Sequence, residues 1–132
     1  MDAETLRQVA TEQAADLPGS ELEYPFDFDT PVYKVRGKMF LFVSEVGGRL
    51  MVTVKADPRD SEALRHAHPD ITPGYHMNKR HWITLSPGDS LDEGLVRDIV
   101  VESYLLVVAR LPRATRPVDP KAFGIRSPGG PS

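Results

Sequence analysis

Apolar and polar positions alternate along this chain with two periods, and the switches between them mark its elements. Over residues 3–17, Leu6, Val9, Ala10 and Leu17 recur near helical spacing, and Pro18-Gly19-Ser20 ends the helix they predict. In residues 21–30, Tyr24, Phe26 and Phe28 alternate with Pro25 and Asp27. That is strand spacing, but a proline confines such a strand to a sheet edge or turns it into an extended arm. Residues 31–57 predict a meander of three strands, interrupted at Gly37 and at the hairpin signal Gly47-Gly48. In the third strand Leu50, Val52, Val54 and Ala56 share one face, while Arg49, Met51, Thr53 and Lys55 share the other. In the first, Tyr33 and Val35 oppose Val32, Lys34 and Arg36. One sheet face is therefore apolar and the other carries cations. The middle strand, residues 39–43, is apolar on both faces, so a ligand, a partner or the aromatic arm should cover its outer side.

Asp57-Pro58 has the form of an N-cap followed by proline at the first helical position, and predicts a helix to about Ala67, before Pro69. Residues 82–85 read as a further short strand. Ser90-Leu91-Asp92-Glu93 has the form of a capping box, with Ser90 and Glu93 satisfying each other's free amides. Behind it Leu91, Leu95, Ile99, Ser103 and Leu106, flanked by Val96, Val100, Tyr104 and Val107, make a wide apolar stripe that ends at Leu111-Pro112. Pro, Gly, Arg and Ser dominate residues 113–132, which read as a flexible, largely disordered basic tail with one docked patch around Phe123. These elements give one α+β domain over residues 1–112.

Composition narrows the chemistry. At 132 residues the chain has room for one hydrophobic core. Cysteine is absent, so disulfides, a thiol nucleophile and Cys-ligated zinc are excluded. No apolar run is long enough to span a bilayer and the acidic N-terminus does not resemble a signal peptide, so a cytoplasmic, soluble protein with no membrane partner is expected. The net charge of −3 is unevenly spread: residues 1–29 carry −7, residues 30–89 carry +3 and residues 112–132 carry +3. An anionic partner would be met in the middle of the chain and at its end.

The densest chemistry lies in Pro73-Gly74-Tyr75-His76-Met77-Asn78-Lys79-Arg80-His81-Trp82, which holds the only tryptophan. Three segments together resemble the MmcQ/YjbR family of small bacterial proteins. They are Pro31-Val32-Tyr33-Lys34-Val35-Arg36-Gly37-Lys38-Met39-Phe40, then Val54-Lys55-Ala56-Asp57-Pro58, then the cluster from Pro73 to Trp82. The resemblance spans roughly residues 3–112. It implies a CyaY (frataxin)-like fold, an antiparallel sheet with helices packed on one face, and DNA binding through a double-wing arrangement of loops. Two positions depart from the family pattern: Arg36 stands where a second glycine is common, and Ala56 where a cysteine often occurs.

The residues support two binding roles. Asn78, Lys79, Arg80 and His81 offer contacts to phosphates, and Tyr75 or Trp82 offers a surface for an exposed base. Lys34, Arg36, Lys38 and Lys55 form a second basic region that would join them, with Arg36-Gly37-Lys38 and residues 78–81 as the wings. Each group also has a plainer reading: a solvated loop tip, a charged sheet face, and Trp82 as packing. Alternatively Tyr75, His76 and Trp82 line a pocket for a drug or an aromatic metabolite, floored by residues 39–43. A third role is association through that apolar strand, although a monomer is slightly favoured.

Metal binding and catalysis find less support. His66, His68, His76 and His81 lie close in sequence but lack ligand spacing and a third partner, and Glu4, Glu12 and Asp16 of the first helix read as a solvated acidic face. Ser44, Ser86 and Ser90 lie in no nucleophile elbow. The sequence therefore predicts a non-catalytic protein without cofactor or metal, binding DNA or, alternatively, a small molecule.

Overall fold

A central antiparallel sheet forms because the period-two segments pair with one another while both period-3.6 segments of the ends fall on one of its faces. The computed structural model describes residues 1–125. Its six strands lie in the order β1-β2-β3-β4-β6-β5. They are β1 (Ser20–Glu23), β2 (Val32–Val35), β3 (Lys38–Val46), β4 (Arg49–Lys55), β5 (Ile71–Pro73) and β6 (Trp82–Leu85). The helices are α1 (Ala3–Asp16), α2 (Pro58–Ala67), α3 (Glu93–Val108) and α4 (Pro120–Ile125). The expected α+β fold is thus present, with β1 restricting the predicted edge strand to four residues. Beyond it, Tyr24, Phe26 and Phe28 stay exposed, Phe28 at 96 %.

Register places Tyr33, Leu41, Val54 and Ile83 side by side across four strands. These residues join Val43, Val52 and Leu85 in one core cluster with Leu6 and Ala10 of α1 and Val96, Val100 and Tyr104 of α3. Burial of such side chains is worth about 1.5–3 kcal/mol each, which makes this face the main source of stability. The opposite face runs Val32, Phe42, Thr53, Thr84 in register, all buried. Its two threonine hydroxyls bond each other at 3.1 Å, and the Thr84 hydroxyl also accepts from the Tyr75 amide at 3.0 Å.

Of the two helix starts read from the sequence, one is formed as expected: Asp57 caps α2 ahead of Pro58. Asp2, which the sequence reading did not single out, caps α1. At α3 the predicted capping box is not formed. Asp92 is the N-cap and accepts from Leu95 N at 2.9 Å. Ser90 is drawn away by Asp70, whose carboxylate accepts from both its hydroxyl (2.7 Å) and its amide (3.0 Å). Two bonds to one charged oxygen outweigh a single neutral cap bond. These bonds hold the Asp70 carboxyl below its usual range. After α3 the chain forms a 3₁₀ turn over Arg113–Thr115 and then α4. The anticipated patch at Phe123 packs its ring 6.2 Å from that of Tyr104. The tail reading for residues 126–132 lies outside the described residues. Among the described residues no helix is long and apolar enough to cross a membrane.

The sheet is irregular at the open end of β3 and β4. The β3–β4 ladder runs from Val46↔Arg49 to Leu41↔Val54, and its next pair would be Phe40 with Lys55. Instead, the hydroxyl of Ser103, from the middle of α3, sits between them. It accepts from Lys55 N at 2.8 Å and donates to the Phe40 carbonyl at 2.5 Å. Ser103 is fully buried, so removing its hydroxyl strands a backbone donor and an acceptor. We predict that Ser103→Ala destabilises the protein by about 1–3 kcal/mol for each stranded group. Ser44→Ala removes a buried hydroxyl without a partner among the described residues and should be neutral or stabilising. Urea denaturation of both variants checks this; equal effects would mean that Ser103 does not bridge the strands.

Candidate anion-binding site

Lys55 closes β4 with β6 on one side, where it pairs with Trp82, and the Ser103 hydroxyl on the other. Its ammonium lies 5.6 Å from the centroid of the Trp82 ring, within the range of a cation–π contact. Burial, and next the neighbouring Arg110, pushes the Lys55 amine below the usual lysine range. Where β3 and β4 part, a cavity of about 470 Å³ opens, lined by Lys38, Met39, Lys55 and Trp82 together with Val107 of α3 and Arg110 just beyond it. Ion pairs among the described residues join Arg7 to Glu45, Lys34 to Glu23, and Arg97 to Glu12 and Glu93. None takes up Lys38, Lys55 or Arg110. Three cations of one sign around an apolar hollow repel one another and favour an anion between them.

The sequence-selected residues separate into those at this cavity and those held elsewhere. Lys38, Lys55 and Trp82 come together at it. Lys34 is paired with Glu23 at 2.9 Å. Arg36 occupies a left-handed turn position (φ 51°), and its Nε donates to the Thr115 carbonyl at 2.8 Å, so the first wing is tied to the segment after α3. In the β5–β6 loop, Lys79 Nζ donates to the Gly74 carbonyl at 2.9 Å, and the Asn78 side chain accepts from Arg80 N at 2.9 Å. The His81 carbonyl accepts from Ala56 N at 2.9 Å, which fastens the loop to the end of β4. His76 is also left-handed (φ 59°), with its ring 3.9 Å from that of Tyr75. Neither Tyr75 nor His76 lines the cavity. Arg80 remains exposed at the loop tip, outside every ion pair among the described residues.

Sequence reasoning missed Arg110, which follows the apolar stripe and reads there as an ordinary cation near a helix C-terminus. It missed the role of Ser103 too, although a serine inside an otherwise apolar stripe is a usable signal for a buried hydrogen bond. The histidines do not converge: His68 Nδ1 lies 3.0 Å from the Ser90 carbonyl. Among the described residues no group of three or more His, Cys, Asp or Glu side chains is placed to hold a metal ion.

Comparison with known proteins fits this architecture. A family model described as YjbR matches residues 15–106. The chain is 42 % identical over 108 residues to the uncharacterised protein YbdF of Escherichia coli O157:H7, covering 82 % of this chain and 88 % of that protein. It is 35 % identical over 99 residues to the uncharacterised protein YjbR of Escherichia coli K12, covering 75 % and 84 %. The crystal structure of Deinococcus radiodurans protein DR2400, a DUF419 domain, superposes with a TM-score of 0.75 at 32 % identity, covering 99 % of this chain and 96 % of that one. A Pseudomonas syringae protein of known structure shares the fold, with a TM-score of 0.62 at 21 % identity over 80 % of this chain and 98 % of its own.

The position of Trp82 depends on close backbone approach at Gly74. A Cβ on Gly74 would lie 2.6 Å from the Trp82 Cβ and 3.0 Å from its carbonyl group. Gly74→Ala should therefore force the β5–β6 hairpin apart, costing about 1–3 kcal/mol, the usual range for overpacking. Tryptophan emission should shift to the red as the ring gains solvent. Unchanged emission and stability would show that the hairpin absorbs the methyl group without moving Trp82.

Proposed function

The chain belongs to the YjbR family, and we propose that it is a non-catalytic binding protein whose ligand is a small amphiphilic anion held between Lys38, Lys55 and Arg110. The observation that carries this reading is the meeting of three cations without carboxylate partners, among the described residues, at one apolar-walled cavity. A ligand carboxylate or phosphate would meet the cations, and its apolar part would rest on Met39, Val107 and the rim of Trp82. Trp82 acts chiefly by holding Lys55: the ammonium already faces its ring, so that face is not free for a stacking base. Ordinary pocket chemistry has this form, with apolar walls and a few placed charges.

DNA binding is the second reading, and a specific observation favours it. Lys38 and Arg80 are both exposed, and neither belongs to an ion pair among the described residues. Against it, Lys34, Arg36 and Lys79 already have intramolecular partners. So few remaining phosphate contacts would give salt-sensitive binding on the order of 10⁻⁴ to 10⁻⁶ M.

Titration of naphthyl phosphate against tryptophan emission separates the readings. Saturable binding should be lost in Lys38→Ala with Arg110→Ala and should weaken as pH rises, earlier than an ordinary lysine would dictate, because the ammonium of Lys55 gives up its proton sooner. Retention of affinity in that variant would remove the proposed site. For the second reading, a duplex titration at two salt concentrations should show a shallower salt slope for Lys38→Ala with Arg80→Ala; an unchanged slope would remove DNA from this surface.

A further inference from the structure

The connection between β1 and β2 leaves apolar surface in water. Of the five large apolar side chains that stand exposed among the described residues, four fall in this one stretch: Leu22, Tyr24, Phe26 and Phe28. A contiguous apolar patch of this kind marks a surface that meets a partner. Phe28 is the most exposed of them and stands between Asp27 and Asp29. The Asp29 amide donates to Asp27 Oδ1 at 2.8 Å, closing a turn with Phe28 in its middle. Neither aspartate joins an ion pair among the described residues. The arm thus offers an aromatic ring flanked by carboxylates, which is the chemistry of an amphiphilic anion. It leaves the sheet away from the cavity of its own chain. Glu23 pairs with Val32 where the chain quits β1, whereas Lys38 pairs with Val35 at the other end of the same strands. No residue of the arm lines the cavity.

We propose that residues 24–29 of one copy dock in the Lys38–Lys55–Arg110 cavity of a second copy. The proposal rests on the anion-binding reading of that cavity and names a macromolecular ligand for it, the protein itself. The Phe28 ring lies against Met39 and Val107, and the carboxylates of Asp27 and Asp29 meet Lys38 and Arg110. Charge complementarity selects this partner. Residues 21–29 hold four acidic and no basic side chains, while the three cations of the cavity have no carboxylate partner among the described residues. A cavity of about 470 Å³ has room for one phenylalanine ring with an adjacent carboxylate. The contact joins unlike surfaces, so reciprocal exchange of arms closes a dimer and one-way docking builds a chain. A single arm buries less than a standard interface, which makes the association weak and transient. A free amphiphilic anion competes with the arm, so ligand binding and self-association exclude each other.

Sedimentation velocity of the full chain, run up to millimolar concentration, tests this with two variants. The unmodified protein should self-associate. Phe26→Ser with Phe28→Ser removes the apolar contacts of the arm, and Lys38→Ala with Arg110→Ala removes the cations. Each should weaken association about tenfold or more, as the loss of a central anchor does. All four side chains are exposed, and circular dichroism confirms that both variants are folded. An equimolar mixture of the two should associate more tightly than either alone, because one supplies an intact cavity and the other an intact arm. Saturating naphthyl phosphate should disperse the unmodified assembly. A protein that stays monomeric, association that persists in either variant, or a mixture that fails to associate overturns the docking proposal and leaves the anion site standing. Naphthyl phosphate binding to the arm variant, whose cavity is free, tests the anion reading separately. If it does not bind there, that reading fails, and the proposal fails with it.

Discussion

The hydroxyl of Ser103 occupies the place of a ladder hydrogen bond between β3 and β4, and the functional end of the molecule follows from that substitution. A sheet that stayed zipped through Phe40 and Lys55 would leave no opening between the ends of β3 and β4. With the serine between them, both backbone groups remain satisfied while the strands separate. Buried polar groups demand such replacement partners, and a helix side chain can supply one only if the helix is fixed above the gap. The stripe of Val96, Val100 and Tyr104 fixes it, through burial against the sheet. Packing on one face thereby sets the geometry of the opening.

Opening the strands concentrates charge. Lys38 begins β3, Lys55 ends β4 and Arg110 follows α3, so three segments distant in sequence bring cations to one cavity. Trp82 adds a fixed ring beneath the Lys55 ammonium. The other cations of the sequence-selected set are given to the fold: Lys34 to Glu23, Arg36 to the turn after α3, and Lys79 to the loop it closes. A charge already paired within the fold has less to gain from a ligand, which sets these cations apart from Lys38, Lys55 and Arg110.

Much of the fold was legible in the sequence because its signals are local. The Gly47-Gly48 hairpin, the strand phases of residues 49–55, the Asp57-Pro58 cap and the stripe of α3 all depend on neighbours within a turn or two. The YjbR resemblance was legible as well, in three segments that the family model spans or overlaps. Failures arose where a distant partner competed for a local signal. Ser90 had the context of a cap until Asp70 supplied a charged acceptor twenty residues away. Arg36 had the look of a wing tip until Thr115 supplied a carbonyl. Lys55 and Trp82 were identified but not joined to Arg110, because only the crossing of α3 over the sheet makes them neighbours.

In this arrangement anions are received at the parted ends of β3 and β4 and not on the loop that carries Lys79. Side-chain NMR of the lysine ammonium groups during titration with naphthyl phosphate tests this directly, since each lysine reports its own position. The Lys38 and Lys55 signals should shift together and saturate while those of Lys34 and Lys79 stay in place. Movement of Lys79 first, or a uniform shift of all of them, would contradict it.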